Sequence, residues 1–243
     1  MYVFFDLDGT LTDPREGIVR CLKYALQELG TPSPTDTELT RYIGPPLHAS
    51  FAALLNSTDA VLIARAVALY RQRFAAKGLY ENILYPGIAH ALRALQARGA
   101  VLYVVTAKPT VFAAQILTHL GLSSFFRNVY GSELDGTRAD KKELIAHVLA
   151  EEGVAARRAI MVGDREQDIQ GAVQNGVRPV GVLWGYGSRQ ELLRAGALVL
   201  CAEPAALPAV VSANQIDNTG SEADPLALGE GGLSRRPAER GNL

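Results

Sequence analysis

The sequence predicts a doubly wound α/β fold with a parallel, Rossmann-like sheet and an α-helical cap inserted after the first strand. Three observations support this prediction. The chain opens with a run of aromatic and β-branched residues, Tyr2–Phe5, typical of a strand that is buried on both faces. The stretch 14–82 shows helical spacing of its apolar residues and no strand signal. From Pro86 onward, strands and helices alternate, which indicates right-handed βαβ units.

The inserted cap is predicted to consist of several helices. After a first amphipathic helix that Gly30 ends, further helices are expected at 39–43, 47–55 and 59–76. The segment Gly44-Pro45-Pro46 forces a turn between two of them. We therefore expect residues 14–82 to form a helical cap domain.

The core is predicted to combine the first strand with the alternating elements after the cap. The expected helices share an amphipathic pattern and cover 87–98, 111–120, 140–152 and 168–175. The expected strands are β-branched runs at 101–105, 128–130, 158–162, 179–183 and 197–201. These elements assign residues 1–13 and 83–212 to the core domain. Residues 213–243 are rich in Gly, Ser, Pro and charge, a composition that predicts a disordered tail.

Composition excludes several classes of function. The 243 residues include 24 basic and 25 acidic side chains, so no excess of positive charge favours nucleic acid as a partner. No apolar run is long enough to cross a membrane, and we expect a cytoplasmic protein. Two cysteines argue against a disulfide framework and a zinc site. Oligomeric state cannot be deduced from the sequence.

Polar residues cluster where the predicted strands end. Asp6 and Asp8 follow the first strand, Thr106 and Asp164 follow two others, and Lys141 begins a helix. Because the carboxyl ends of parallel strands meet in one crevice, these side chains are expected to form a site. The combination indicates phosphoryl transfer, with Asp6 as the nucleophile that forms an aspartyl phosphate. Asp8 would protonate the leaving-group oxygen and then deprotonate the hydrolytic water.

A divalent cation is expected beside the nucleophile, and Mg²⁺ suits oxygen ligands that leave several waters in place. The predicted ligands are the Asp6 carboxylate, the backbone carbonyl of Asp8 and the Asp164 carboxylate. Asp168 lies one helical turn beyond Asp164, where it can contact the cation through water or orient its ligands.

The phosphate is expected to contact three other residues. Thr106 offers its hydroxyl and backbone N–H, and Ala107 adds a second backbone N–H. Lys141 supplies a positive charge that offsets the charges of nucleophile and phosphate.

Each of these residues also has a plainer structural explanation. Thr106 can be a helix N-cap, Lys141 can lie on a solvated helix face, and Asp164 can belong to an ordinary turn. Asp6 and Asp8 are harder to explain structurally, since carboxylates at one strand end repel each other unless a cation or proton lies between them.

Taken in order, these motifs resemble those of the haloacid dehalogenase superfamily of phosphohydrolases. Asp6-Leu7-Asp8-Gly9-Thr10 is similar to its first motif, Val104-Val105-Thr106 to its second, and Lys141 to its third. Gly163-Asp164-Arg165-Glu166-Gln167-Asp168 is similar to its fourth. The resemblance implies the cap arrangement of the phosphoglycolate phosphatase and β-phosphoglucomutase branch.

Several shorter segments of the chain resemble two subgroups of this branch in more detail. Ile43-Gly44-Pro45-Pro46-Leu47 and Asp135-Gly136-Thr137-Arg138 resemble bacterial members described as phosphoglycolate phosphatases. Gly163-Asp164-Arg165-Glu166 and Gly185-Tyr186-Gly187-Ser188 resemble a subgroup of these described as 5'-nucleotidases. One departure is Ala107, where many relatives carry Asn, so that only backbone contact to the phosphate remains.

The cap offers a candidate specificity loop, Gly44-Pro45-Pro46, which is equally explained as a plain turn between helices. Arg41 and His48 beside it are further candidates for substrate contact. Trp184 and Tyr186 can line the entrance of the site or pack against the core, and packing is the preferred interpretation.

The sequence as a whole predicts a Mg²⁺-dependent phosphatase that acts on a small phosphorylated metabolite. Nucleoside 5'-monophosphates are the expected substrates and phosphoglycolate is the alternative. A phosphomutase would use the same motifs. A receiver-like signalling module is disfavoured, because such a module has no use for the leaving-group acid Asp8.

Overall fold

The computed structural model describes residues 1–216, with side chains described through Asn214. Six parallel strands form the central sheet: β1 (Tyr2–Phe5), β4 (Val101–Pro109), β5 (Asn128–Ser132), β6 (Ala159–Gly163), β7 (Arg178–Val182) and β8 (Val199–Cys201). Their spatial order is β5-β4-β1-β6-β7-β8. The first strand therefore lies at the centre, with Phe5 paired to Val104 on one side and to Val162 on the other.

Helices cover both faces of this sheet, because both faces of each central strand are apolar. The helices of the core are α5 (Ile88–Ala97), α6 (Thr110–His119), α7 (Lys141–Glu151), α8 (Glu166–Gln174), α9 (Arg189–Arg194) and α10 (Leu207–Ile216). Val3 and Phe5 pack on the side of α5, α6 and α10, whereas Phe4 packs on the side of α7 and α8. The predicted α/β fold is confirmed.

The helical cap is built from α1 (Arg15–Glu28), α2 (Asp36–Leu39), α3 (Leu47–Leu54) and α4 (Ala60–Arg73), followed by a π-helical turn, Phe74–Gly78. Short 3₁₀ turns occur at Thr40–Tyr42, Ser123–Phe125, Ala156–Arg158 and Pro204–Ala206. A two-stranded antiparallel pair, β2 (Thr12–Asp13) and β3 (Ile83–Leu84), joins cap and core. Two-residue strands carry too short a pattern to be predicted, and this pair was missed.

Several boundaries differ from the expectation for physical reasons. Helix α2 begins three residues before the predicted 39–43 helix, because the Thr35 hydroxyl accepts from Glu38 N and the Glu38 carboxylate accepts from Thr35 N. The helix expected at 59–76 ends at Arg73 and continues as the π-helical turn.

At the C-terminal end of the core, α10 continues to Ile216, past the predicted core boundary at 212. The rest of the predicted tail lies outside the described residues. Within the described part of the chain, we find no helix of the length and apolarity required to span a bilayer.

Candidate active site

The carboxyl ends of three neighbouring strands bring the predicted site residues together. Asp6 directly follows β1, Thr106 lies within the carboxyl-terminal half of β4, and Asp164 directly follows β6. Because β1 lies between β4 and β6, these three residues share one edge of the sheet. All three are buried, with exposed fractions of 4% for Asp6, 2% for Thr106 and 0% for Asp164.

Lys141 lies at the centre of the acidic groups. Its Nζ is 2.6 Å from Asp6 Oδ1 and 2.7 Å from Asp168 Oδ1, and it donates to the Val105 carbonyl at 2.7 Å. Burial opposes the charge of Lys141, but the carboxylates of Asp168 and Asp6 outweigh it and raise the pKa of the ammonium group. Lys141 is therefore a fixed cation and does not lie on a solvated helix face.

Asp164 is held by the loops around it. Its Oδ1 accepts from the Thr10 hydroxyl at 3.1 Å and its Oδ2 accepts from Tyr186 N at 2.8 Å. Gly9 has φ +84°, and a Cβ there would lie 2.2 Å from Asp164 Oδ2. A Cβ on Gly185 would lie 2.4 Å from the same oxygen. Glycine is thus required on two sides of this carboxylate.

Asp6, Asp164 and Asp168 form a buried carboxylate cluster whose ligand oxygens all lie within 4.8 Å of one another. Burial, together with the charges of Asp168 and Asp6, raises the pKa of Asp164 well above its usual value. Burial also raises the pKa of Asp168 to about 6, although Lys141 opposes that shift. Two of these three carboxylates, Asp6 and Asp168, contact the Lys141 ammonium, and a cluster of hard oxygen donors of this kind fits Mg²⁺.

Asp168 has a more specific position than the sequence indicated. Besides its ion pair with Lys141, its Oδ2 accepts from the backbone N–H of Arg165 at 3.1 Å. A Cβ on Gly163 would lie 2.4 Å from this oxygen. Asp168 therefore orients both Lys141 and the turn that carries Asp164.

Asp8 lies apart from that cluster and faces a different cation. Its Oδ2 is 2.7 Å from Lys108 Nζ, and both side chains are buried, with exposed fractions of 11% and 7%. Burial raises the pKa of Asp8 above its usual value, although Lys108 opposes the shift. The Lys108 ammonium also lies over the ring of Phe74, 4.7 Å from its centroid. Asp6 and Asp8, which both follow β1, are thus paired with different lysines.

Thr106 and Ala107 line the same cavity. The Thr106 hydroxyl accepts from Lys108 N at 3.3 Å, and the Ala107 carbonyl accepts from the Ser132 hydroxyl at 2.9 Å. The residue at the N-cap of α6 is Pro109, so the alternative of Thr106 as a helix N-cap is wrong. Its hydroxyl instead accepts the backbone N–H of Lys108 where the pairing of β4 with β5 is irregular.

A cavity of about 220 Å³ opens above these residues, between core and cap. The cap contributes mainly apolar and aromatic groups to its wall, together with one arginine: Ile18, Tyr42, Gly44, Pro45, Pro46, Leu47, His48, Tyr70, Arg71 and Phe74. The candidate loop Gly44-Pro45-Pro46 and His48 therefore face the site. Arg41 is exposed and lies outside the cavity lining.

Lys108 and Phe74 were not predicted. The second motif was considered only up to Ala107, yet Lys108 follows two residues after Thr106 and both line the cavity. Phe74 was assigned to the apolar face of a cap helix, and in the structure it stacks on Tyr70, one helical turn earlier, and lines the cavity with it.

Trp184 and Tyr186 brace the loop after β1. Trp184 Nε1 donates to the Thr10 carbonyl at 3.0 Å, and the Tyr186 hydroxyl donates to Asp13 Oδ1. Both pack against the main hydrophobic core and neither lines the cavity. The preferred interpretation of these two aromatic residues as packing groups agrees with this arrangement.

Comparison with known proteins agrees with this geometry. A 5'-nucleotidase of Pseudomonas aeruginosa is 47% identical over 87% of this chain and 96% of its own length. The tyrosine-protein kinase PtkA of Mycobacterium tuberculosis is 39% identical over 76% of this chain but only 62% of its own length. A phosphoglycolate phosphatase of Yersinia pestis is 30% identical over 76% of this chain and 81% of its own.

Among solved structures, that of a predicted phosphatase from Clostridium acetobutylicum superposes with a TM-score of 0.84 at 40% identity, over 87% of this chain and 98% of that one. The sequence model of the haloacid dehalogenase-like hydrolase family matches residues 3–182 of this chain. These matches span both the sheet that carries the site and the cap above it. This chain therefore belongs to the haloacid dehalogenase-like hydrolase family and is a phosphoric monoester hydrolase.

Proposed function

We propose that the protein is a Mg²⁺-dependent 5'-nucleotidase that works through an aspartyl phosphate on Asp6. The observation that carries the proposal is that Asp6 and Asp8, the two carboxylates that follow β1, are paired with different lysines. Asp6 is paired with Lys141 beside Asp164, whereas Asp8 is paired with Lys108 beneath the cap. One carboxylate is thus suited to attack phosphorus and the other to transfer protons on the side of the leaving group.

The proposed reaction has two steps. Asp6 attacks the phosphorus, an acyl phosphate bond forms, and the ester bond breaks while Asp8 delivers its proton to the leaving oxygen. Asp8, now ionised, takes a proton from a water that attacks the same phosphorus and breaks the bond to Asp6. The products are the alcohol and inorganic phosphate, and both carboxyl groups return to their initial states.

The remaining residues of the site would bind the cation, balance the negative charge of the phosphate and orient it. The Asp6 and Asp164 carboxylates and the Asp8 carbonyl would hold Mg²⁺, which supplies positive charge to the phosphate oxygens. Lys141 offsets the charge that builds up in the transition state, with Asp168 orienting it. Thr106 and the backbone N–H of Ala107 would complete the phosphate contacts.

Two features support a nucleoside 5'-monophosphate as substrate. The Pseudomonas aeruginosa 5'-nucleotidase matches nearly its full length. In addition, the cap wall presents the partly exposed ring of Tyr42 above the site, and aromatic side chains suit stacking on a nucleobase. Phosphoglycolate is the second candidate, because the Lys108 ammonium beside Asp8 would suit the carboxylate of so small a leaving group.

Phosphate release from a panel of monoesters tests the proposal. We expect turnover that requires Mg²⁺ and is fastest with a nucleoside 5'-monophosphate. Asp6→Asn should abolish turnover, and Asp8→Asn should slow both steps or let phosphoenzyme accumulate. Asp36→Asn, which changes an exposed carboxylate of the cap, serves as the control. Turnover retained by Asp6→Asn would contradict the role of Asp6 as nucleophile. Faster hydrolysis of phosphoglycolate than of any nucleoside 5'-monophosphate would contradict the proposed substrate.

A further inference from the structure

Two segments that the sequence analysis singled out meet beside the active site. The fourth motif continues into Arg165 and Glu166, and the loop that ends at Ser188 leads into α9. Glu191 Oε1 accepts from Arg165 Nε at 2.9 Å and from Glu166 N at 3.0 Å. The Ser188 hydroxyl accepts from Glu191 N at 3.0 Å and caps the helix. Glu191 is therefore held in place and fixes one edge of the Arg165 guanidinium.

The other edge of Arg165 reaches the cap. Its Nη1 donates to the carbonyl oxygen of Ile43, a residue that is fully buried. A Cβ on Gly44 would lie 3.0 Å from Arg165 Cγ and 3.3 Å from Nη1, and the φ of Gly44 is +104°. The Arg165 side chain thus lies directly against the loop, at a position where a Cβ would make tight contacts and where the positive φ favours glycine. Arg165 thus joins the turn after β6 to segment 43–46 of the cap.

We propose that Arg165 is a positioning residue that holds the cap loop 43–46 over the cavity and thereby sets which leaving groups the phosphatase accepts. The substrate aspect of this inference rests on the proposed function. Gly44, Pro45 and Pro46 line the cavity on the cap side, away from the carboxylate cluster. The loop is thus placed to contact the leaving group.

The chemistry of arginine accounts for this role. Its planar guanidinium presents separate N–H groups in fixed directions, so one side chain can bind the Glu191 carboxylate and the Ile43 carbonyl at once. A lysine keeps the charge but cannot reproduce this bridge. The contact of residue 165 with Asp168 comes from the backbone N–H and remains in any variant other than proline. Changing the side chain therefore keeps this backbone contact, and Arg165→Lys also keeps a positive charge in the cavity, whose wall includes Arg165.

The experiment compares Arg165→Met, Arg165→Lys and the control Arg189→Met, which changes an exposed arginine of α9. Amide hydrogen exchange of segment 40–47 is measured without substrate. Values of kcat/KM are measured for a nucleoside 5'-monophosphate and for methyl phosphate, whose leaving group is too small to reach the loop. Thermal unfolding verifies that each variant is folded, and Gly44→Ala perturbs the same contact from the cap side.

We expect faster exchange in segment 40–47 for both Arg165 variants and for Gly44→Ala. The ratio of the two kcat/KM values should fall about tenfold, the factor expected for loss of one hydrogen bond from a charged group. The kcat for methyl phosphate should stay within about threefold of wild type, since the reacting residues keep their contacts.

Unchanged exchange together with an unchanged ratio would overturn the proposal. Wild-type exchange rates and a wild-type kcat/KM ratio for Arg165→Lys would overturn it too, because the charge of residue 165, and not its bridge between Glu191 and Ile43, would then hold the loop. Failure of the proposed substrate is distinguishable: wild-type protein would release no phosphate from nucleoside monophosphates. The amide exchange rates would still test the role of Arg165, as would the ratio of kcat/KM for the ester that is hydrolysed to kcat/KM for methyl phosphate.

Discussion

Replacement of Lys108 by methionine tests whether the second lysine of the site controls the acid/base carboxyl group. The variant removes an ammonium group 2.7 Å from Asp8 Oδ2 but keeps an unbranched side chain to pack on Phe74. Asp8 would then be a buried carboxyl group without its cation. Since burial already raises the pKa of Asp8, the loss of Lys108 raises it further.

The magnitude follows from the geometry of the pair. At 2.7 Å and an effective dielectric constant of about 20, the attraction between the two charges is about 6 kcal/mol. Most of it is not lost in the variant, because Asp8 can take up a proton instead of remaining charged. A net effect of about 1.4 to 2.8 kcal/mol on the second step corresponds to a rate about 10- to 100-fold lower.

The second step suffers because Asp8 must be ionised to accept a proton from water. We therefore expect lower kcat at neutral pH, accumulation of phosphoenzyme, and partial recovery as the pH rises and Asp8 ionises. Rapid-quench measurement of phosphoenzyme and released phosphate separates the two steps, and Lys77→Met, at an exposed cap lysine, is the control. A variant with wild-type kcat from pH 6 to 9 would refute the assigned relation between Lys108 and Asp8.

Two other predictions concern the loop after β1 and the cation. Gly9→Ala places a Cβ 2.2 Å from Asp164 Oδ2 at φ +84°. It should cost at least about 2 kcal/mol, lower the unfolding temperature by about 4 to 8 °C and abolish activity. Gly30→Ala, at φ +67° with no atom within 4 Å of the added Cβ, isolates the backbone cost; equal losses would contradict a clash with Asp164. Mg²⁺ affinity should weaken as the pH falls, because protons compete with the cation for Asp164, whose pKa is raised, and because Asp168, which orients the turn that carries Asp164, takes up a proton near pH 6. Calorimetry in buffers of different ionisation enthalpy should detect proton release on binding, and affinity unchanged between pH 5 and 8 would exclude this competition.

The core of the fold and most of the site were predictable because their signals are local. An apolar run such as Tyr2–Phe5 predicts a buried strand from its own residues, and the strand order of a parallel sheet brings its carboxyl ends together. Helix α2 was also encoded locally, by Thr35 and Glu38, but the signal was overlooked. The π-helical turn Phe74–Gly78 carries no comparable pattern, and the place of Phe74 in the cavity wall depends on how the cap packs.

The sequence alone determined the α/β class, the inserted cap and a set of acidic and basic residues suited to phosphoryl transfer. It could not assign partners within that set, because a lysine contributes the same charge wherever it lies along the chain. Folding places Lys141 between Asp6 and Asp168, pairs Lys108 with Asp8, and brings Arg165 against Ile43. These contacts join residues far apart in sequence. Their distances and burial depend on packing between elements, which no local pattern records.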